Sequence, residues 1–151
     1  FDFIWSSPPC PTHSSFQKSM QTIRKMKYPD MKLYQEILLL QSFFKGKYCV
    51  ENVIPYYEPL IPAQKRGRHL FWTNFILPSI LSNRENPSMN NNTSEVDKLC
   101  VFHDYDFRKY KGEAHKMSMA RNLVDYEAGK TILETALGII KKSNSQQLEL
   151  I

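Results

Sequence analysis

Cysteine is scarce in this chain: Cys10, Cys49 and Cys100 are the only three among 151 residues. An odd, widely spaced set offers no disulfide framework and points to a reducing compartment. Long apolar runs are missing as well. The longest lies around Ile37-Leu38-Leu39-Leu40, far short of the roughly 20 residues that a membrane-spanning helix needs. No stretch reads as a secretory signal, which makes the glycosylation-type sequences at Asn91 and Asn92 accidental matches. Internal repeats are absent too. Charge of neither sign dominates: 20 Lys+Arg against 15 Asp+Glu leave +5, a mild excess that suits a polyanionic partner without requiring one.

What remains is the composition of an ordinary soluble globular chain, 42% hydrophobic and 23% charged, long enough to bury a core. It opens at Phe1 inside an apolar run, which reads as a piece of something larger. Residues 1–6 form a short strand of the buried kind, and 14–28 are polar, basic and without period, hence a loop. Pro29 suits the first turn of a helix whose apolar face is Tyr34, Ile37, Leu38 and Phe44, with Gly46 as its C-terminal cap. Residues 48–53 make a second buried strand. Strand, helix, strand predicts a βαβ unit and a parallel sheet, with functional groups collecting at the carboxyl ends of its strands. Residues 54–63 hold three prolines and are a loop, and 69–75 are a third strand. Residues 82–97 are so poor in apolar side chains that they are expected to be partly disordered. Cys100–Phe102 reads as a strand. Asp125 is placed to cap a last helix with Ala128, Ile132, Ala136 and Ile139 on one face.

Three groups of residues have chemical potential. Pro9 and Pro11 bracket Cys10 on a stiff loop directly after a strand, where a thiol can be presented for nucleophilic attack. Glu51-Asn52 ends the next strand, and a carboxyl group shielded from water there can donate a proton. Gln64-Lys65-Arg66-Gly67-Arg68 is basic. Alternation along an extended segment would put Arg66 and Arg68 on one side, suited to a phosphate or to a carbonyl gaining negative charge. Each group alone has a plainer structural reading: a packed cysteine, a loop-bracing glutamate, a solvated basic face.

Taken in order, Pro9-Cys10, Glu51-Asn52-Val53 and Gln64 to Arg68 resemble the C5-cytosine DNA methyltransferases. There they correspond to the nucleophile loop, the acid motif and the arginine motif. The resemblance covers most of residues 1–75. More loosely it takes in 120–140, where Asn122 and Val124 look like the Asn-x-Val of the family's last motif. It implies an α/β fold, the rear part of a Rossmann-like sheet over 1–76. A small target-recognition region would follow over 77–119, and 120–151 would return to the catalytic domain. It further implies Cys10 as nucleophile and Glu51 as acid, supported by Arg66 and Arg68. Pro9, Asn52 and Gln64 would brace the site. S-adenosylmethionine would be the methyl donor, touched by Asn122 and Val124, and double-stranded DNA the partner, its phosphates met by Lys65, Arg108, Lys109, Lys111 and Lys116. Neither metal nor membrane is implied, and the setting would be the cytoplasm of a bacterial or phage-infected cell.

The sequence departs from that pattern in four places. Pro11 stands where Gln usually follows the cysteine. Only eleven residues separate Asn52 from Gln64, too few for the usual helix and strand. The recognition region is very small. The glycine-rich strand–loop that holds the methyl donor is not in this sequence and is expected upstream, on the same or another polypeptide. Alternatives from other classes are a non-catalytic DNA-binding partner, one subunit of a split methyltransferase, and a cysteine hydrolase using Cys10 with His13, His69 or His103. Cys10-x-x-His13 and Cys100-x-x-His103 also have the spacing of zinc half-sites, but lie far apart in the sequence.

Overall fold

The computed structural model describes residues 1–14, 27–84, 93–110 and 113–139. Contacts divide the chain into two units, 1–79 with 133–151 and 80–132.

In the first unit, strand β1 (Phe3–Ser6) pairs in parallel with β2 (Lys47–Val53). Helix α1 (Lys32–Phe43) joins them, so the expected βαβ unit is present. Pro29 precedes the helix rather than starting it. Its buried residues are Leu33, Tyr34, Ile37 and Leu40, a one-turn-spaced stripe. Leu38 is exposed, because it lies off that stripe. Gly46 caps nothing: α1 ends at Phe43 with Phe44 extended. The glycine is needed for close approach instead, since a Cβ there would stand 2.6 Å from the Phe44 ring and 2.7 Å from the Asp2 carbonyl.

Beyond β2 the sheet is not parallel. Strand β3 (Gln64–Arg66) and β4 (His69–Thr73) form a hairpin, and β4 lies antiparallel to β2, giving the order β1-β2-β4-β3. A parallel return needs a crossover of a dozen or more residues, and the proline-rich 54–63 segment is shorter than that. Gly67, at φ +55°, opens the two-residue turn between β3 and β4. The fold is therefore mixed α/β with a four-stranded mixed sheet. Its core lies on the α1 side, where Tyr48, Val50, Leu70 and Trp72 meet Leu33, Tyr34, Ile37 and Leu40.

The second unit is helical: α2 (Thr93–His103), a single 3-10 turn (Phe107–Lys109), α3 (Glu113–Asn122) and the start of α4 (Tyr126–Ala136). Cys100–Phe102 is thus helix, not strand. The spacing of Val96, Leu99 and Cys100, all buried with Phe107 and Ala120, is that of one helix face. Residues 93–97 belong to the same helix and are ordered, while 85–92 lie outside the described residues, as does most of the 14–28 loop. Asp125 does cap α4, its carboxylate accepting from the Glu127 N–H at 3.2 Å. Ile132 and Ala136 are buried and Ile139 is exposed. Arg84 is a hub that sequence inspection passed over. Its guanidinium bonds to Asp125 and to the Phe102 carbonyl, and lies between the Phe102 and Tyr126 rings at 4.5 and 4.6 Å.

Candidate active site

Ser6 pairs with Val50, so β2 runs three residues past the end of β1. Glu51, Asn52 and Val53 therefore lie alongside the loop that carries Cys10. Asn52 is 2% exposed. Its Nδ2 donates to the Pro8 carbonyl at 2.9 Å, and its Oδ1 accepts from the Val53 N–H at 2.9 Å. Asn52 thus ties the Cys10 loop to the strand end. The loop then closes on itself, with the His13 and Ser14 N–H groups both donating to the Cys10 carbonyl, at 2.9 and 3.1 Å. Pro9 is exposed and Cys10 half-buried.

Glu51 faces away from the α1 core. Its Oε2 accepts from the Ser7 hydroxyl at 2.9 Å, whose oxygen in turn accepts from the Trp5 indole N–H at 2.9 Å. Its Oε1 stands 3.4 Å from His69 Nε2, a contact across the β2–β4 pairing that is an ion pair only when the imidazole is protonated. Burial pushes the Cys10 thiol above its ordinary range, its own peptide N–H pulls the other way, and the Glu51 charge pushes it further up. Two consequences follow. Cys10 rests as a neutral thiol, and the Glu51 charge lies within its electrostatic reach. Burial holds the His69 imidazole below its ordinary range, against the pull of Glu51 and aided by the Arg68 charge.

The arginine segment is arranged differently from the alternation argument. Arg66 ends β3 and Arg68 occupies the turn, so no single extended segment aligns them. Arg66 spends its fork on carbonyls: Pro78 at 2.5 Å, Leu77 at 2.6 Å and Lys65 at 2.8 Å. Gln64 bonds to the Thr73 hydroxyl, the Phe75 carbonyl and the Leu77 N–H. Together they strap residues 75–78 over the hairpin. Arg68 is exposed and, among the described residues, makes no hydrogen bond; Lys65 is exposed as well.

The other sequence-predicted residues lie in the second unit. Arg108 bonds to Asp106 at 2.7 Å and Asp97 at 3.3 Å, so carboxylates already answer its charge. Lys109 Nζ sits 4.0 Å from the centre of the exposed Tyr105 ring, and the Tyr105 and Tyr110 hydroxyls meet at 2.9 Å. Lys116 is partly exposed, and Lys111 lies outside the described residues. Asn122, the last residue of α3, and Val124, in the link to α4, are exposed, Asn122 donating to Ser118 at 3.4 Å. Neither sits in a cradle or beside a buried polar atom that would fit S-adenosylmethionine. Among the described residues no three His, Cys, Asp or Glu side chains gather as a metal site. The His13 and His103 rings are engaged by the Tyr57 hydroxyl and the Ala120 carbonyl.

Ser7 and Trp5 are the site residues that sequence reasoning missed, and His69, read there only as a candidate partner of Cys10 in a hydrolase, meets Glu51 instead. The one available signal was the two-residue alternation of Glu51, Val53 and His69, readable only once β2 and β4 are known to pair antiparallel. Among the described residues no helix is long and apolar enough to cross a membrane. Compared with protein-family models, curated proteins and solved structures, the chain finds no match in any of the three.

Proposed function

We propose that this chain activates cytosine in double-stranded DNA for methylation at C5, with Cys10 as nucleophile, Glu51 as acid and S-adenosylmethionine as methyl donor. The observation that carries the reading is the joined pair of strand ends. Asn52 holds the Cys10 loop against the end of β2, where Glu51 is the adjacent residue of the strand.

C5 of cytosine is a weak nucleophile. A base turned out of the duplex offers C6 to the Cys10 sulfur; as the S–C6 bond forms, the C5–C6 π pair moves onto C5. Glu51 holds a proton at N3 while that charge develops, which spreads it over the ring. Reversal expels the thiolate and restores the ring. Ser7 and His69 orient the two carboxyl oxygens. Arg68, without a hydrogen bond among the described residues, is the guanidinium left for the base's O2 or a phosphate, because Arg66 is committed to carbonyls. Lys65, Lys109 and Lys116 serve phosphates, which positions the duplex without reading sequence. The described residues do not fit the methyl donor, so no step here runs through it.

The test is intact mass after incubation with S-adenosylmethionine and duplex DNA carrying 5-fluorocytosine, using the chain alone and fused to an upstream donor-binding region. Fluorine blocks the loss of the C5 substituent, so the covalent complex persists. A protein–DNA adduct that disappears in Cys10→Ala supports the reading. Intact DNA binding with no adduct from either form contradicts it.

A further inference from the structure

His13 is 1% exposed and stands three residues after Cys10, on the loop that presents the thiol. Its surroundings form a directed chain of hydrogen bonds. The Leu60 N–H donates to the Tyr34 hydroxyl at 3.3 Å, and that hydroxyl donates to the Tyr57 hydroxyl at 3.2 Å. The Tyr57 hydroxyl lies 2.6 Å from His13 Nδ1. A hydroxyl has one hydrogen. Tyr57 already accepts from Tyr34, so its hydrogen goes to the histidine, and Nδ1 is the acceptor. The network therefore assigns the neutral ring with its proton on Nε2. That Nε2 is buried without a hydrogen-bond partner among the described residues.

The backbone repeats the connection. The Tyr56 N–H donates to the His13 carbonyl at 3.0 Å, Ser14 bridges Pro55, and the His13 N–H holds the Cys10 carbonyl. His13 thus joins three parts of the first unit: the Cys10 loop, the 54–63 connection through Tyr57, and α1 through Tyr34, whose ring meets the imidazole edge-on at 6.5 Å.

We propose that His13 is a positioning residue for Cys10, a latch that holds the nucleophile loop closed only while its imidazole is neutral. A proton on Nδ1 turns the acceptor into a donor. Tyr57 would then have to accept from both neighbours and turn its own hydrogen into the core, while a charge sits in a nearly water-free place. Burial disfavours that charge most strongly, and the Asp30 carboxylate and backbone carbonyl favour it. Among the described residues, Tyr34, Tyr57 and Asp30 are the titratable groups that meet or act on the ring, and Glu51 acts on Cys10 from β2. Acid is relieved by letting the loop swing out, which hydrates His13 and Cys10 together.

The experiment needs neither DNA nor a methyl donor, so its failure leaves the methyltransferase reading standing, and the converse also holds. Cys10 is the reporter, since Cys49 is fully buried with its thiol pushed up to about 12, and Cys100 is 9% exposed. Iodoacetamide alkylation of the whole chain, mapped to Cys10, is followed from pH 8 to pH 5. For a closed loop the rate falls tenfold per unit, tracking thiolate alone. Opening lowers the thiol's pKa, and each unit released gives about tenfold more thiolate. The wild type should break upward from the straight line on the acid side. His13→Asn keeps an acceptor for Tyr57 but cannot gain a proton, and should show no break. Tyr57→Phe removes the donor that keeps the ring neutral, so its break should begin at higher pH. A straight wild-type line, or the same break in His13→Asn, overturns the proposal. So does a ring nitrogen spectrum showing the proton on Nδ1 at pH 8, a readout that requires no variant to fold.

Discussion

At the residue scale, Asn52 decides whether the nucleophile loop and the acid belong to one site. It is buried, and both of its amide atoms are used, one on the Pro8 carbonyl and one on the Val53 N–H. Asn52→Ala removes both bonds and strands a carbonyl, which should destabilise the protein by about 1–3 kcal/mol, read as a shift of the urea midpoint. The loop should also alkylate faster at Cys10. Cys10 and Glu51 could be read from sequence because short motifs carry them. Ser7 and Trp5 could not, because nothing local announces that an indole and a hydroxyl will line up behind Glu51. His69 reaches Glu51 only through a pairing between strands more than a dozen residues apart. The arginine pair was misjudged for a related reason: Gly67 reverses the chain between Arg66 and Arg68, and alternation does not survive a turn.

At the element scale, α2 and α3 are joined by the buried Glu95 carboxylate and Arg121, in a two-pronged contact of 2.7 and 2.9 Å. The Arg121 hydrogen bond holds Glu95 below the ordinary 4.5, against its burial. The sign follows directly. The folded carboxyl binds its proton more weakly than the unfolded one, so its contribution is present above pH 4.5 and is lost as acid takes the pH down through the folded value. Arg121→Met leaves the carboxylate buried and unpaired, and should cost roughly 3 kcal/mol, the low end for a buried pair because the arginine is a third exposed. Helical signal measured from pH 7 down to pH 3 should fall earlier for the wild type than a Glu95→Gln, Arg121→Met double variant would. Elements β1, α1 and β2 were legible because apolar runs and a one-turn stripe are strong local signals. Strand β3 was not, being three polar residues whose strand pairing, among the described residues, is with β4 alone. Nor was α2, whose short apolar stripe sits among charges.

At the scale of the whole molecule, the net charge of +5 is a balance of answered and unanswered cations. Arg108 is answered by Asp97 and Asp106 in ion pairs, while Lys109 rests over the Tyr105 ring, bonded to its hydroxyl, and among the described residues forms no ion pair, Asp106 acting on it only at longer range. Duplex DNA binding should weaken linearly on a log scale with salt. Lys109→Ala should lower the slope by about one phosphate contact, and Arg108→Ala should change it far less. Binding isotherms at several salt concentrations check this, and an equal loss for both variants would contradict the charge accounting. The sequence motifs carried the expectation of a base-directed thiol. The structure adds the Asn52 tie between the Cys10 loop and the strand end that bears Glu51, and a buried histidine on the same loop.

The central claim is that Cys10 adds to C6 of cytosine while Glu51 protonates the ring, and it can be tested without a methyl donor. Mixed-sequence duplex DNA is incubated with the chain in deuterated buffer, digested to nucleosides, and weighed for deuterium at cytosine C5. Addition at C6 makes C5 basic, so each reversible attack exchanges its hydrogen with solvent. The account predicts exchange with the wild type, none with Cys10→Ala, and a rate lowered about 10²- to 10⁴-fold with Glu51→Gln. No exchange by wild-type protein bound to DNA, or equal exchange by Cys10→Ala, would contradict it.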